Sequence, residues 1–595
     1  MLDLRCSASF VKTFTEKTVI RTISIGKFPA IAALAIIAFS SNAFGAERRD
    51  ASLSPASKKT GQIVDQNAIK SGSIFGRWRS LTQGPIGTGI VTIDIVKDSD
   101  GATQIYVDGQ NRGLDRYKWR MRDANATTLR ADNVDVSYDM YDIVGFVSGP
   151  MELIANFDQR RDLLDVQFDN HNINTNLVFE RDGPKFARFD APRLDPNGEP
   201  ATDYIYSKPP KRVDDDISVA HLSDVGLDSS LFENAIVEDV LTEKYPHITS
   251  VLVMKNGKLV FEEYFNGVDA DYLNYQASVT KSYISILYGP AIRDGIFTNI
   301  DDPVMNVLPE FKDTKWAKEG FDISLRDLLG MKSVVPWNER LNSFLNKGND
   351  LNDAFEAAYA SGKVDGMFQY LFNKPLLPKD TNRPSYYNTI MSYTLGLALT
   401  RQSGQHLGDY IDEQIFSPMN IRRSYWGAFG IKKIDEKDAL PLAGSTLHIR
   451  SRDMVKFGQM LLNGGRWKDK QIVPYDWVVE STTLHSLMRN TKKGDGYSNE
   501  GYGYQIWLQK LSDGEASVWV FSGRGHGGQY IYMIPALDAV IVTTANKYFS
   551  GDYFKQGKDA EQLIRKRLIP ALMGKTSTFD PLELTRKDIG FQPIQ

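Results

Sequence analysis

Alternating apolar and polar positions dominate residues 72–190. Ile90–Val96 is followed by the turn residues Asp98–Gly101 and then by Thr103–Val107, and short runs of this kind continue to Leu177–Phe179. Apolar runs bounded by Asp and Gly are typical of β-hairpins, and no run in this region has the period of a helix. The pattern predicts a small all-β domain over residues 72–190, built as a barrel or a sandwich.

A Pro- and Asp-rich stretch at residues 191–225 separates this domain from a longer region of mixed pattern, and it is interpreted as a linker. Four apolar runs then predict two strand pairs, one early and one late: Ser250–Met254 with Leu259–Tyr264, and Tyr530–Ile534 with Ala539–Thr543. Helical periods fall between the pairs, at residues 280–295, 325–330, 390–403 and 452–463. We expect a C-terminal α/β domain over residues 226–575, with one antiparallel sheet flanked by helices, and a tail at residues 576–595.

The first 45 residues have the pattern of an export signal. Five basic and two acidic residues give this segment a net charge of +3, and a short apolar run over Ala30–Phe39 is followed by small residues up to Ala46. That order describes a secretory signal peptide, and the apolar run is shorter than the roughly 20 residues that span a bilayer. A single membrane anchor is the alternative. We expect a periplasmic or secreted protein with no membrane span after signal removal, and a polar linker at residues 46–71.

Composition excludes several classes of function. The chain has 70 Lys and Arg against 74 Asp and Glu, so no bulk positive field attracts nucleic acid. Its one cysteine, Cys6, lies in the export segment, so the mature chain has no thiol chemistry. The seven histidines lack the His-x-x-x-His spacing, and neither a phosphate-binding glycine loop nor a Gly-x-Ser-x-Gly elbow occurs. No metal or organic cofactor and no nucleic-acid partner is implied; the oligomeric state is left open.

The candidate chemistry begins with Ser278 and Lys281, which are three residues apart. On a helix this spacing places both side chains on one face, one turn apart. A serine hydroxyl is a weak nucleophile until a base takes its proton, and a lysine is such a base only when its pKa falls well below about 10.4. Ser9 with Lys12 and Ser24 with Lys27 repeat the spacing inside the export segment. An ordinary pair on a solvated helix face is the alternative interpretation.

Tyr386-Tyr387-Asn388 lies just before the predicted helix at residues 390–403. A tyrosine held between a serine and a lysine can relay protons, because neighbouring cations favour its anion. Tyr386 is therefore a candidate third member of the site. Asn388 is a candidate for orienting the substrate or Lys281.

A glycine-rich edge follows at residues 523–529, leading into the late strand pair. Its glycines, Gly525, Gly527 and Gly528, allow a close approach of the backbone to a substrate. Exposed backbone N–H groups of Ser278 and His526 would then form an oxyanion hole. His526 acting as a catalytic base is the alternative.

The order of these motifs resembles that of the serine β-lactamase and penicillin-binding families. The similarity is greatest to class C-like serine hydrolases, which include family-VIII esterases and 6-aminohexanoate-dimer hydrolases. It extends over about residues 222–572 and includes further segments: Asp301–Val304, Leu308–Glu310, Ile323–Leu329, Arg452–Gly458 and Leu461–Gly465. The resemblance implies an acyl-enzyme mechanism with Ser278 as nucleophile and with Lys281 and Tyr386 managing its proton.

Two departures from these families bear on the substrate. Gly523-Arg524-Gly525 stands where β-lactamases have Lys-Thr-Gly, and Lys332-Ser333-Val334 replaces the usual Thr-Ser-Gly. Hydrolysis of an ester or amide bond in a small substrate is therefore the prediction. A penicillin- or peptidoglycan-binding protein with little turnover, or a true β-lactamase, are the alternatives.

Aromatic residues in two places allow a pocket or a core interpretation. Phe75-Gly76-Arg77-Trp78 resembles the Gly-x-Trp motif of lipocalin-like barrels, in which the Trp closes one end, although a buried Trp at the start of any strand would look the same. A carrier of apolar ligands is thus a further hypothesis for the β domain. Four aromatics of the second domain either line a substrate pocket or pack in the core: Tyr502, Tyr504, Trp507 and Trp519.

Overall fold

The computed structural model describes most of the chain between residues 72 and 585. The described residues are 72–84, 87–98, 100–108, 117–133, 151–170, 173–181, 205–206, 208–241, 244–245, 247–265, 268–319, 323–332, 337, 350–375, 387–426, 442–488, 499–545 and 558–585. The predicted export signal and the linker at residues 46–71 lie outside them. Within these ranges, no helix combines the length and the apolar character that crossing a membrane requires.

The first eight strands close into an antiparallel barrel. They are β1 (Gly76–Gly84), β2 (Gly87–Lys97), β3 (Thr103–Asp108), β4 (Tyr117–Ala124), β5 (Thr128–Asn133), β6 (Met151–Asp158), β7 (Leu163–Asn170) and β8 (Ile173–Arg181). Each strand pairs with the next, and β1 also pairs with β8. Alternate residues such as Ile93, Ile105 and Val166 fill the interior, as a half-buried strand requires. Of the two predicted architectures, the structure is the barrel.

Trp78 is buried at the seam where the barrel closes. Its indole Nε1 donates a hydrogen bond to the carbonyl of Ile74 (2.9 Å), and the guanidinium of Arg181 on β8 lies 4.1 Å from its ring centre. Arg181 also donates to Asp162 and to the carbonyl of Phe75, both at 2.8 Å. These contacts join the first strand to the last through a cation–π pair and hydrogen bonds.

The second domain is built on a ten-stranded sheet. Its strands are β9 (Ser218–Val219), β10 (Ile248–Lys255), β11 (Lys258–Tyr264), β17 (Ser486–Leu487), β18 (Gly501–Tyr502), β19 (Trp507–Ser512), β20 (Ser517–Gly525), β21 (Gln529–Ile534), β22 (Ala539–Ala545) and β23 (Asp580–Pro581). The order is β17-β18-β19-β20-β21-β22-β10-β11-β9, with β23 beside β19. The early and late strand pairs therefore meet at β22 and β10, as predicted. One pair corrects the expected antiparallel sheet: β9 runs parallel to β11, because it enters along the sheet edge rather than through a hairpin.

Two smaller sheets complete the strands. A three-stranded sheet has the order β12, β14, β13, and a two-stranded sheet pairs β15 with β16. Their bounds are β12 (Leu273–Tyr275), β13 (Ser424–Trp426), β14 (Leu447–Arg450), β15 (Arg466–Trp467) and β16 (Lys470–Gln471).

Helices pack on both faces of the large sheet. They are α1 (Ser229–Ile236), α2 (Val279–Arg293), α3 (Val304–Val307), α4 (Lys315–Lys318), α5 (Leu325–Leu329), α6 (Asp350–Ser361), α7 (Asp365–Phe372), α8 (Thr389–Ser403), α9 (Leu407–Ile411), α10 (Ser451–Leu462), α11 (Tyr475–Ser481), α12 (Lys558–Leu563) and α13 (Ile569–Leu572). Short helical turns lie at Leu222–Val225, Val237–Leu241, Pro309–Phe311, Asp412–Phe416, Ser417–Met419, Pro535–Leu537 and Ile564–Leu568. The helix α2 is buried from Val279 to Ala291, so its side chains are fixed on all sides by packing.

Part of the stretch interpreted as a linker folds onto the second domain. Asp215 is buried, and Arg452 on α10 donates to its carboxylate at 2.8 Å and to that of Glu262 at 2.7 Å. A few residues further on, β9 pairs with β11. Residues 208–225 thus contribute a strand, a helical turn and a buried ion pair, while a domain boundary at residue 226 remains a prediction. At the other end, β23 pairs with β19 inside the predicted tail.

Candidate active site

Ser278 and Lys281 lie in contact at the start of α2. The chain reaches α2 from the strand β12, and Ser278 is the last residue before the helix. Lys281 is 1% exposed, and its Nζ donates hydrogen bonds to Ser278 Oγ at 2.9 Å and to the carbonyl of Gly444 at 2.7 Å. The predicted arrangement on one helix face is therefore observed, and the alternative of a solvated helix face is wrong for Lys281.

The residue before Ser278 adopts a strained backbone conformation. Ala277 has a φ of 45°, in the left-handed region that residues other than glycine rarely occupy. The amide of Gln276, one residue earlier, donates to the carbonyl of Leu447 at 2.8 Å and holds the chain in place before the bend. Such strain persists only where the surrounding structure enforces it, and it concentrates at functional sites. Here it turns the chain sharply from β12 into α2, which leaves the half-buried Ser278 at the bend.

Sequence reasoning did not identify Gly444, whose carbonyl accepts the second hydrogen bond of Lys281. A Cβ built on Gly444 would lie 2.7 Å from Thr389 Cγ2 and 2.9 Å from the ring of Tyr393, so a side chain has no room. The glycine lets this loop pack against the first turn of α8 and present its carbonyl to Lys281. The available signal was Gly444-Ser445 a few residues before the segment Arg452–Gly458, which carries part of the family resemblance.

Of the predicted Tyr-x-Asn pair, Tyr386 lies outside the described residues, and Asn388 is the capping residue directly before α8. Asn388 is fully buried, and its Oδ1 accepts a hydrogen bond from the amide of Ile390 at 3.1 Å, which caps the helix. Its Nδ2 is buried and has no hydrogen-bond partner among the described residues. The side-chain NH₂ group of Asn388 is thus not used in fixing the helix, whereas its Oδ1 is.

Aromatic rings form a wall next to Lys281. The ring of Tyr387 lies 5.1 Å from Lys281 Nζ, and Trp507 stacks on Tyr387 with ring centres 5.5 Å apart. Tyr502 and Tyr504 are buried, which fits the core interpretation. Trp507 is half-buried and belongs to the wall, so the pocket interpretation fits this residue.

The glycine-rich edge runs beside the start of α2. A Cβ on Gly525 would lie only 2.4 Å from the carbonyl oxygen of Gln276, so the strand β20 touches the backbone of the segment that leads into α2. The pairing of β20 with β19 ends at Ser522, so the following residues of β20, from Gly523 to Gly525, are not paired with β19. His526 is half-buried and follows directly on Gly525. Gly527 and Gly528 have φ of 87° and 107° in the turn to β21.

Arg524 occupies the strand edge between two glycines, and a carboxylate accompanies its charge. Its Nη1 donates to Glu500 Oε1 at 2.7 Å and its Nε donates to Ser522 Oγ at 2.9 Å. The guanidinium also lies 5.2 Å from the ring of Trp507. Glu500 therefore compensates the charge of Arg524, while its Nη2 has no hydrogen-bond partner among the described residues.

A buried histidine below the Gly444 loop makes stability depend on pH. Burial lowers the pKa of His448 to about 4 from its ordinary value of about 6.5, and its Nδ1 lies 2.9 Å from the carbonyl of Thr446. The unfolded chain therefore binds a proton at this histidine more readily than the folded protein does. The contribution of neutral His448 to the free energy of unfolding is fully present above about pH 6.5 and is lost as the pH falls toward 4. The shift corresponds to about 3 kcal/mol in the fully protonated limit. Urea unfolding of the protein between pH 7.5 and 4.5 measures this loss.

The matched variant for this prediction is His448→Gln, which keeps an amide donor and does not titrate. The difference in unfolding free energy between the protein and this variant is expected to change with pH over this range. A constant difference at every pH would contradict the assignment.

Comparison with known proteins identifies the protein family to which the chain belongs. A family model described as Beta-lactamase matches residues 249–566, which is more than half of the chain. The chain belongs to the beta-lactamase family. The matched region contains both Ser278 and Lys281, and the predicted membership among class C-related serine hydrolases of this family is confirmed.

Relatives in the family are distant. Protein flp of Staphylococcus aureus (strain MW2) is 24% identical over 228 residues, which are 37% of this chain and 43% of that protein. The 6-aminohexanoate-dimer hydrolase of Paenarthrobacter ureafaciens is 22% identical over 299 residues, 49% of this chain and 70% of that enzyme. Among solved structures, an octameric penicillin-binding protein homologue from Pyrococcus abyssi matches with a TM-score of 0.42 and 21% identity, covering 59% of this chain and 78% of that one.

Proposed function

We propose that this protein is a serine hydrolase that cleaves an ester or amide bond of a small substrate through an acyl-enzyme. The observation that carries the proposal is the 2.9 Å contact between Ser278 Oγ and the buried Nζ of Lys281. A nucleophile and its base in direct contact are the minimum that acyl transfer requires.

In the proposed first step, Ser278 Oγ bonds to the substrate carbonyl carbon and its proton passes to neutral Lys281, with Tyr386 as relay. Backbone N–H groups of Ser278 and His526 stabilise the oxyanion. When the tetrahedral species collapses, the bond to the alcohol or amine breaks, and that group leaves with the proton. Water then attacks the ester on Ser278, gives its proton to the same base, and the acid departs as Ser278 regains its hydrogen. Asn388 orients the substrate from the start of α8.

The proposed substrate carries no carboxylate next to the scissile bond. Arg524, the cation of the strand edge, is already paired with Glu500, and Tyr387 and Trp507 present an aromatic wall. The name of one relative, a 6-aminohexanoate-dimer hydrolase, supports an amide among the candidates. A penicillin- or peptidoglycan-binding protein with little turnover and a true β-lactamase are the competing functions, and both would have to recognise an anionic substrate.

We also propose that the protein acts after export, on the pattern of residues 1–45. Cell fractionation of a producing bacterium tests this proposal. The protein is expected in the periplasm or medium with its N-terminus near residue 46, and full-length protein in the membrane fraction would favour the anchor.

The function is tested by labelling the purified protein with a fluorophosphonate and by a substrate panel. Peptide mapping is expected to place the label on Ser278. The panel of nitrophenyl esters, short amides, nitrocefin and D-Ala-D-Ala peptides is expected to show turnover of a neutral ester or amide. Turnover confined to nitrocefin would favour a β-lactamase, and acylation without turnover would favour a binding protein.

A further inference from the structure

Gln505 lies in the turn between β18 and β19, where the backbone conformation is unfavourable for its residue type. Its φ is 55°, which favours glycine, and the residue is 1% exposed. The left-handed conformation is energetically unfavourable for a glutamine, so it destabilises the folded state. Burial of the side-chain amide is also unfavourable unless the amide forms hydrogen bonds. Because the backbone conformation and the buried amide are both unfavourable, the contacts of Gln505 have to compensate for them.

Gln505 makes hydrogen bonds to three helices. Its backbone carbonyl accepts from Ser282 Oγ on α2 at 2.8 Å, and its side-chain Oε1 accepts from Ser392 Oγ on α8, also at 2.8 Å. Its backbone amide donates to the carbonyl of Leu329 on α5 at 3.1 Å, and its Nε2 lies 3.5 Å from that of Leu328. One residue therefore links the helices through both its main chain and its side chain.

The two bonded serines mark the helices that hold the candidate site. Ser282 directly follows Lys281 and lies one turn beyond Ser278 on α2. Ser392 lies one turn beyond Asn388 on α8, the helix that begins just after the Tyr-x-Asn motif. The distance between these two helices at this level sets the separation of Ser278 and Lys281 from Tyr387 and Asn388.

We propose that Gln505 is a positioning residue that fixes α2 against α8 at the level of the active site. The proposal rests on the proposed function, because it assigns Gln505 a role in aligning Ser278 and Lys281 with Asn388 for that reaction. A displacement of about 1 Å in such an alignment costs up to about 10²-fold in rate. The contribution of Gln505 to folding stability can therefore be measured separately from its contribution to the rate of the chemical step.

The same two helices have a second hydrogen bond that serves as an internal control. The hydroxyl of Tyr288, ten residues beyond Ser278 on α2, donates to the carbonyl of Leu395 on α8 at 2.9 Å. This bond joins the helices further from the site. Tyr288→Phe removes it without touching Gln505, and is therefore expected to lower the melting temperature while leaving the chemical step unchanged.

The test measures fluorophosphonate labelling of full-length variants as kinact, KI and the fraction of protein labelled. Gln505→Met keeps the volume and the backbone strain but removes the side-chain hydrogen bonds, and Ser392→Ala removes the same bond from the other side. Both are expected to lower kinact by about 10- to 100-fold with KI nearly unchanged. Ser392→Thr, which keeps the hydroxyl, is expected to restore most of the rate.

A purely structural role would give a different result. Loss of folded protein lowers the labelled fraction, whereas misalignment lowers the rate constant of the molecules that do react. Wild-type kinact in both Gln505→Met and Ser392→Ala, with only melting temperature or labelled fraction reduced, overturns the proposal and leaves the hydrolase function intact. If Gln505→Met does not fold, Ser392→Ala decides alone. Failure of the wild type to label at Ser278 overturns the proposed function and this inference together.

Discussion

Ser278→Ala is expected to abolish labelling by a fluorophosphonate and to lower turnover by about 10⁴- to 10⁶-fold, the scale on which loss of a catalytic nucleophile acts. The reason is that the acyl-enzyme forms on Ser278 Oγ, and Lys281 cannot activate a methyl group. Because Ser278 is half-buried at the bend before α2, the substitution removes one hydroxyl and leaves the packing of α2 in place. Turnover of the best substrate from the panel, with labelling by mass spectrometry, measures the effect.

Ser285→Ala is the matched control for this prediction. Ser285 lies on the same helix two turns beyond Ser278, is fully buried, and its Oγ has no hydrogen-bond partner in the described part of the chain. Removing that hydroxyl is expected to leave labelling and turnover near wild type. If Ser278→Ala is labelled at the wild-type rate, the nucleophile is another residue.

Lys281→Arg is expected to be nearly as damaging as Lys281→Ala, with acylation slowed by about 10²- to 10⁴-fold in both. Arginine does not lose its proton at working pH, so the substitution keeps a cation beside Ser278 and removes the base. A lysine that only held the structure together would show the opposite order, because arginine would preserve its charge. Acylation rates of both variants between pH 6 and 9 measure this difference.

A second buried lysine provides the comparison. Burial lowers the pKa of Lys456 on α10, although its Nζ lies 3.2 Å from the carboxylate of Asp453. Lys456 also donates to the carbonyl of Asn420 at 2.9 Å. Its partners, Asp453 and this carbonyl, indicate a structural role. Lys456→Arg is expected to change the melting temperature and to leave the acylation rate constant unchanged. A near-wild-type rate for Lys281→Arg would rule out the proposed mechanism.

The fold was predictable from sequence where a segment is long and strongly patterned. The helix α2 begins and ends within two residues of the predicted bounds, and the strand pair β10–β11 is centred on its Asn-Gly turn. The helices α6 and α7 were not predicted. Length does not explain this, because α6 has 12 residues, as many as the predicted α10. Most of the stability of a helix in a protein comes from tertiary packing, which a single sequence need not show as a regular period. The parallel strand β9 has only two residues, too few for a period to show.

The candidate site was predictable where its residues are close in sequence. Ser278 and Lys281 are three positions apart, so helix geometry alone brings them together. Gly444 and Gln505 lie 163 and more than 200 residues from their partners on α2, Lys281 and Ser282. Contacts across such distances depend on how helices and sheet pack, and a single sequence records no periodic signal of them. The strain at Ala277 and Gln505 is likewise visible only in the backbone.

The buried carboxylate of Asp215 also limits where the second domain can be separated from the barrel. Arg452 lies almost completely inside the protein and shares its charge between Asp215 and Glu262. A cut after residue 215 would remove one of these partners: the pair with Glu262 would remain, but Arg452 Nη1 would lose a buried charge-assisted hydrogen bond, which contributes about 1.5–3 kcal/mol. A version of the second domain that keeps its full stability therefore has to begin upstream of Asp215.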